Sequence, residues 1–230
     1  AEAMAAAGAA GVRVPAPGEL TTVDGRPGLV MERIDGIDML TLIGRRPWSV
    51  WRVGRVWGEI QASMHEVIAP PDLPALRDLL RGRFESCDPA LLPERLARFA
   101  LDELERLPDG DRLCHGDFHP GNIMEAQGEH VVIDWTNATR GDPAADFARS
   151  LLLGRLGELP PGAPLLIRAG AKFARRLLLD SYVRSYRRNG RLDAALATRW
   201  EAPVAAARLR EGIESENPKL LRLLEERAGG

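Results

Sequence analysis

The sequence predicts an α+β chain, with a few short strands in its front part and around one loop, and a large, mainly helical remainder. Three observations predict it. Leu20-Thr-Thr-Val and Leu29-Val-Met-Glu bracket the turn-rich Asp24-Gly-Arg-Pro-Gly28, the pattern of two paired strands. His130-Val-Val-Ile-Asp134 is a β-branched run of strand length. From about residue 50 apolar residues recur at helical spacing, beginning with Val53, Val56, Trp57, Ile60, Met64, Val67 and Ile68.

Taken in order, residues 1–9 are an Ala-rich helical stretch that stops at Gly8 or Gly11. Val12-Arg-Val-Pro-Ala-Pro-Gly18 is extended, because proline removes donors and biases its predecessor away from helix. The hairpin that follows is expected to have a loop longer than two residues, and Ile34-Asp-Gly leads out of it. After the 53–68 stripe, Leu92, Leu96, Phe99, Ala100 and Leu104 mark another helix, ended by Pro108-Asp-Gly. Asp111-Arg-Leu-Cys114 is a short run entering a loop, and Pro120-Gly121 forces a turn. The two adjacent strand ends on either side are expected to bring Asp117 and Asp134 to one edge. Helices near 143–155, 163–189 and 191–211 complete the chain, with Pro160-Pro-Gly and Asn189-Gly between them as breakers.

At 230 residues and 45% hydrophobic content, the chain can bury a real core as one large domain or two lobes. A net charge of −2, with both signs mixed along the chain, gives no electrostatic reason to expect nucleic acid. No apolar run approaches a membrane span. The opening Ala-Glu-Ala-Met carries Glu2 and lacks the basic start of a signal peptide. Two cysteines, Cys87 and Cys114, make no disulfide framework, so a reducing cytoplasm is the expected compartment.

The chemistry concentrates in Leu-Cys-His-Gly-Asp-Phe-His-Pro-Gly-Asn, residues 113–122, and in Asp134 twelve residues later. The spacing His115-x-Asp117-x-x-x-x-Asn122 is that of a phosphoryl-transfer loop, in which the Asp accepts the proton of a substrate hydroxyl and the Asn holds Mg²⁺. Asp134 then serves as the carboxylate ligand. Magnesium takes hard oxygen donors, usually one or two carboxylates with substrate phosphates, so Asn122 and Asp134 suit it while Asp117 stays free as base. His115 is read as shaping the loop rather than reacting. Asp142, before Pro143, is placed to cap a helix. A rival reading takes His115, Asp117 and His119 as ligands of a metal-dependent hydrolase. It is short of further ligands, since only His65 and His130 remain and each has a structural reading.

Three ordered motifs, His-Gly-Asp-Phe-His-Pro-Gly-Asn (115–122), Ile-Asp-Trp (133–135) and Gly-Asp-Pro-Ala-Ala-Asp-Phe-Ala (141–148), resemble the aminoglycoside phosphotransferase and choline kinase-like family of small-molecule kinases. Gly28-Leu-Val-Met-Glu-Arg-Ile-Asp-Gly36 looks like that family's interlobe strand and hinge. The resemblance implies a protein kinase-like fold, with an incomplete N-terminal β-lobe and hinge at 1–35 and a catalytic and acceptor-binding lobe at 36–230. It implies ATP or GTP as co-substrate, held near Met31, Glu32, Arg33 and Ile34, Mg²⁺ as cofactor and a small hydroxylated molecule as acceptor. His115, His119, Asp142 and Asp146 become supporting residues, Asp146 as the brace of the loop.

The family grips phosphates with a Gly-rich turn and a strand lysine. Here the only lysines are Lys172 and Lys219, both beyond the loop. Glu2 looks like the acid that would pair with such a lysine, so the sequence reads as a kinase lacking the first part of its N-terminal lobe, weak or inactive alone. A non-catalytic nucleotide-binding or scaffold protein is the alternative. The segment 165–210, where such kinases build the acceptor pocket, carries Arg168, Arg175, Arg176, Arg184, Arg187, Arg188 and Arg191 against few acids. Most are read as a solvated helix face, yet the balance weakens the case for a polycationic acceptor and leaves a neutral or anionic one open.

Overall fold

A computed structural model describes residues 1–157 and 165–229; the breaker expected at 160–162 and the side chain of Arg168 lie outside the described residues. The chain begins with helix α1 (Glu2–Ala9). Gly11, at φ +87°, turns the backbone out of it, a conformation that costs glycine little. Strands β1 (Pro17–Val23) and β2 (Arg26–Met31) then pair antiparallel. Their loop is two residues, not longer as the sequence suggested. Asp24 and Gly25 both have positive φ, +50° and +75°, which is the type I′ geometry that matches strand twist and favours Asp-Gly. Pro27 and Gly28, read as loop, are paired with Thr22 and Thr21. Proline is tolerated there because a two-stranded ribbon has only edge strands.

A short strand β3 (Ile37–Asp38) leads into α2 (Met39–Arg45), whose first turn Asp38 caps by accepting from Thr41 N at 2.8 Å. Helices α3 (Val50–His65), α4 (Leu76–Glu85) and α5 (Glu94–Arg106) follow. Four short strands come next: β4 (Arg112–Cys114), β5 (Ile123–Ala126), β6 (Glu129–Val132) and β7 (Thr139–Gly141). Helices α6 (Pro143–Leu156), α7 (Leu165–Asn189), α8 (Ala194–Leu209) and α9 (Asn217–Ala228) close the chain. The expected helices are present within a few residues of their predicted ends. Helices α2, α4 and α9 and strands β3, β5 and β7 were not individually located from the sequence.

The strands near the loop form two sheets. One has the order β3-β5-β6 and the other pairs β4 with β7. Asp117 and Asp134 therefore follow strands of different sheets, so the strand ends expected to lie side by side are not paired in one sheet. A buried histidine bridges the gap instead, as described below.

The core centres on α3 and α7. Trp57 stacks on Tyr182 with ring centroids 4.0 Å apart, and Phe147 of α6 lies 5.2 Å from the same tyrosine. Gly54 and Gly58 let the two helices approach backbone to backbone. A Cβ at Gly58 would collide with the Tyr182 carbonyl oxygen and stand 2.7 Å from Tyr186 N. Ser181 and Ser185 seal the seam by donating to Trp51 O at 2.6 Å and Arg55 O at 2.7 Å. Glycine-to-alanine changes in open helix interiors stabilise by up to about 1 kcal/mol. Gly58→Ala is expected to do the reverse, costing about 1–3 kcal/mol by overpacking, readable as a lower urea midpoint. A neutral or raised midpoint would contradict this close approach.

Candidate active site

Strand β4 delivers the loop, and its first residue is locked from three sides. His115 is fully buried. Its Nδ1 accepts from Asp117 N at 3.3 Å, so the ring hydrogen is on Nε2, which donates to Ile133 O at 3.0 Å. This bond ties the loop after β4 to the chain leaving β6, across the two sheets. Burial keeps the imidazole pKa below its ordinary value, as a neutral strut requires. Gly116 sits at φ +77°, where a Cβ would collide with Asn137 O.

Beneath the loop, the buried Asp146 of α6 accepts from Gly116 N at 2.7 Å and His115 N at 3.3 Å. It also accepts from Gln61 Nε2 and meets His65 Nε2, each at 3.0 Å. Burial alone would raise its pKa, but the His65 contact and the remaining donors outweigh it and hold the carboxyl at about 2. Helix α6 starts as its sequence suggests, with Asp142 accepting from Ala144 N at 2.7 Å and Pro143 at the first helical position. Trp57 Nε1 donates to Phe118 O at 3.3 Å, so the core helix α3 also holds the loop.

On this support Asp117 presents its carboxylate. Oδ1 lies 3.2 Å from Arg149 Nη2, and Oδ2 lies 3.7 Å from His119 Nε2. Burial pushes its pKa up, while the imidazole of His119 and the charges of Arg149 and Arg208 pull it down to about 2. Asp117 is therefore ionised across the neutral range. His119 Nδ1 accepts from Gly121 N at 3.0 Å and starts the short 3₁₀ turn Pro120–Asn122.

Asn122 Nδ2 donates to Asp117 O at 2.8 Å, which orients the amide and turns its oxygen away from that bond. Asp134 follows β6 in the left-handed region, φ +59° and ψ +64°. Such a conformation in a non-glycine residue costs about 1–3 kcal/mol and persists where the surroundings impose it. Its side chain is exposed and accepts from Thr136 Oγ1 at 2.6 Å. One carboxylate and one amide oxygen are hard donors of the kind magnesium takes while keeping waters and phosphates as its other ligands. The residues present thus fit Mg²⁺. They do not fit the metal-dependent hydrolase: no cluster of three His, Cys, Asp or Glu placed to hold a metal occurs among the described residues. Both His115 nitrogens are committed to the loop.

Two cavities border the candidate carboxylates, one at Asp134 and one at Asp117. A cleft of about 600 Å³ is walled by apolar groups, among them Leu29, Met31, Met124 and Ile133, and includes Glu32, Ile34 and Asp134. Arg33 is not in its wall; it pairs with Asp35 at 2.8 Å on the exposed surface. Glu32 spends its carboxylate on Arg13, at 2.6 Å, and on Ala16 N, at 3.0 Å, and its own N–H bonds Ala16 O at 2.9 Å. A second cavity, of about 260 Å³, is lined by Asp117, Asn137, Arg83, Arg149, Arg208, Arg210 and Glu211.

Sequence reasoning missed Arg149, which also donates through Nε to Gly116 O and through Nη2 to Glu211 at 3.2 Å. One signal was available: Arg149 lies three residues after Asp146 and so shares its helix face. Arg83, Arg208 and Arg210 had no local signal, because α4 and the end of α8 meet the loop only in the folded chain. Of the arginines noted on and after α7, Arg176, Arg184, Arg187, Arg188 and Arg191 are solvent-exposed and line neither of these two cavities.

The profile of the phosphotransferase enzyme family matches residues 1–179. No curated protein matches the sequence. Among solved structures, an amicoumacin kinase in complex with AMP-PNP, Ca²⁺ and Ami is similar at TM-score 0.63 and 15% identity, over 99% of this chain and 75% of that one. An aminoglycoside-3'-phosphotransferase of type VIII is similar at TM-score 0.59 and 20% identity, over 90% and 76% of the two chains. A choline/ethanolamine kinase family protein from Mesorhizobium loti gives 0.50 and 19%, over 100% and 72%. At these identities the structural likeness shows the fold, a kinase-like α+β fold. With the family profile spanning most of its length, the chain belongs to the phosphotransferase enzyme family.

Proposed function

We propose that this protein transfers the γ-phosphoryl group of ATP or GTP to a hydroxyl of a small molecule. The observation that carries the reading is the division of the two carboxylates between adjoining cavities. Asp134 borders the apolar cleft, Asp117 borders the polar one, and Thr136 and Asn137 continue the two walls. A nucleotide whose base occupies the cleft, among Met31, Glu32 and Ile34, would direct its phosphates toward Asp134. An acceptor in the second cavity would meet Asp117. The AMP-PNP and Ca²⁺ of the amicoumacin kinase complex support a nucleotide and a divalent cation on this fold.

Asn122 and Asp134 would hold Mg²⁺, which when bound supplies charge neutralisation on the phosphates. Asp117 accepts the hydroxyl hydrogen of the acceptor and orients its oxygen. With a pKa of about 2 it is a weak base. That suits a loose phosphoryl-transfer transition state, in which the proton moves late and positioning dominates. His115 and Asp146 hold the loop, His119 and Arg149 hold the carboxylate, and residues 1–35 and 36–230 act as the nucleotide-side and acceptor-side portions.

The test is Mg²⁺-dependent ADP release across a panel of hydroxylated acceptors, with ³¹P NMR to identify a phosphate ester. Acceptor-dependent ester formation supports the reading. Silence from both wild type and Asp117→Asn while nucleotide binds would leave a nucleotide-binding protein without turnover.

A further inference from the structure

We infer that the cavity beside Asp117 takes an anionic acceptor, a small hydroxylated compound bearing a carboxylate or phosphate, which Arg83 and Arg210 bind. This deepens the phosphotransferase reading and rests on it for the identity of the reacting hydroxyl. Four guanidiniums line the cavity, against two carboxylates, Asp117 and Glu211. Their pairings leave a clear remainder. Arg149 bridges Asp117 and Glu211, both at 3.2 Å. Arg208 is held by Glu216 at 2.8 Å and by Glu211.

Arg83, by contrast, reaches only the neutral amide oxygen of Asn137, at 3.2 Å, and neither it nor Arg210 has a carboxylate within ion-pair distance among the described residues. Arg83 is half-buried at the end of α4. Burial, followed by the charge of Arg149, presses its pKa below the ordinary arginine value; Glu211 opposes this in part, while Arg210 and Arg208 push the same way as Arg149. A desolvated guanidinium among others of its sign is costly. A bound anion removes that cost, and the guanidinium fork matches carboxylate and phosphate oxygens.

The placement favours the acceptor over the nucleotide. The arginine cavity is bordered by Asp117 and not by Asp134 or the residues of the apolar cleft. An acceptor anchored there by its anion is bound on the base side of the loop. A polyamine would face the same arginines and be repelled, so the pocket discriminates by charge as well as shape.

The experiment compares binding of glycerol 3-phosphate, gluconate, sorbitol and kanamycin to the full chain by calorimetry, with and without saturating Mg-ADP, alongside Arg83→Gln and Arg210→Gln. Expected is at least tenfold tighter binding of one anionic probe than of sorbitol or kanamycin. That binding is expected to survive ADP, weaken with salt, and fall at least tenfold in either variant. Arg210 is exposed, so its variant serves if Arg83→Gln does not fold. Anions binding no better than sorbitol, or displaced by ADP, overturn the inference even if nucleotide turnover is observed with an uncharged acceptor. Anion binding without any phosphoryl transfer would leave this cavity an anion site and remove the kinase reading instead.

Discussion

Replacing Asp117 by Asn is expected to lower kcat by about 10²–10⁴-fold, the usual contribution of a positioned acid–base group, or about 3–5 kcal/mol at 1.36 kcal/mol per decade. The substitution keeps size and shape. Asn can still accept from Arg149, which retains Glu211 as a second partner. What is lost is the negative oxygen that orients the acceptor hydroxyl and takes its proton. Nucleotide affinity should change by less than about twofold, because Asp117 does not border the apolar cleft. Single-turnover kinetics with a measured nucleotide Kd separates the two effects. A kcat within about threefold of wild type would show that proton acceptance lies elsewhere. Because the carboxyl titrates near 2, its protonation should place no acid limb on the rate between pH 5 and 8.

The second large effect is on the support. Asp146→Asn is expected to destabilise the fold by about 3–5 kcal/mol, as removal of one partner from a buried charged network does. For a chain of this size that is a fall in Tm of roughly 10 °C, at about 2–4 °C per kcal/mol. Asp146 accepts from Gly116 N, His115 N, Gln61 and His65 together. An amide nitrogen in its place would oppose one of these donors. The pH dependence follows from the direction of the shift. The folded pKa, about 2, lies below the ordinary aspartate value of about 3.9, so ionised Asp146 stabilises the folded state. That contribution is complete above about pH 4 and is lost as pH falls through 2; by linkage it is on the order of 2 kcal/mol. Urea unfolding from pH 7 to pH 2.5 should therefore show the gap between wild type and variant narrowing with acid. A variant within about 1 kcal/mol of wild type at pH 7 would show that the loop does not depend on this carboxylate.

Asp117, Asn122 and Asp134 were legible because the loop confines its chemistry to a short stretch with fixed spacing, and spacing along a chain is what a sequence records. The helices of the core were legible for a similar reason, since α3 and α5 bury one face and repeat it every three to four residues. The hairpin loop was misread because proline and glycine signal both turns and edge strands, and the register of Pro27 and Gly28 depends on the partner strand. The two strand ends do meet, through His115 and Ile133, but from different sheets, because short strands carry no record of which sheet they join.

By itself, then, the sequence determined the family, the α+β class and the three polar groups proposed for phosphoryl transfer. Only the tertiary structure decided that His115 spans two sheets, that Asp146, expected to brace the loop, does so together with Gln61 and His65 of α3, and that Arg83, Arg149, Arg208 and Arg210 converge beside Asp117. Those arginines come from three helix regions more than a hundred residues apart at the extremes. Apart from Arg149, which shares a helix face with Asp146, each reads locally as an ordinary solvated arginine, and their excess charge exists only once packing places them around one cavity.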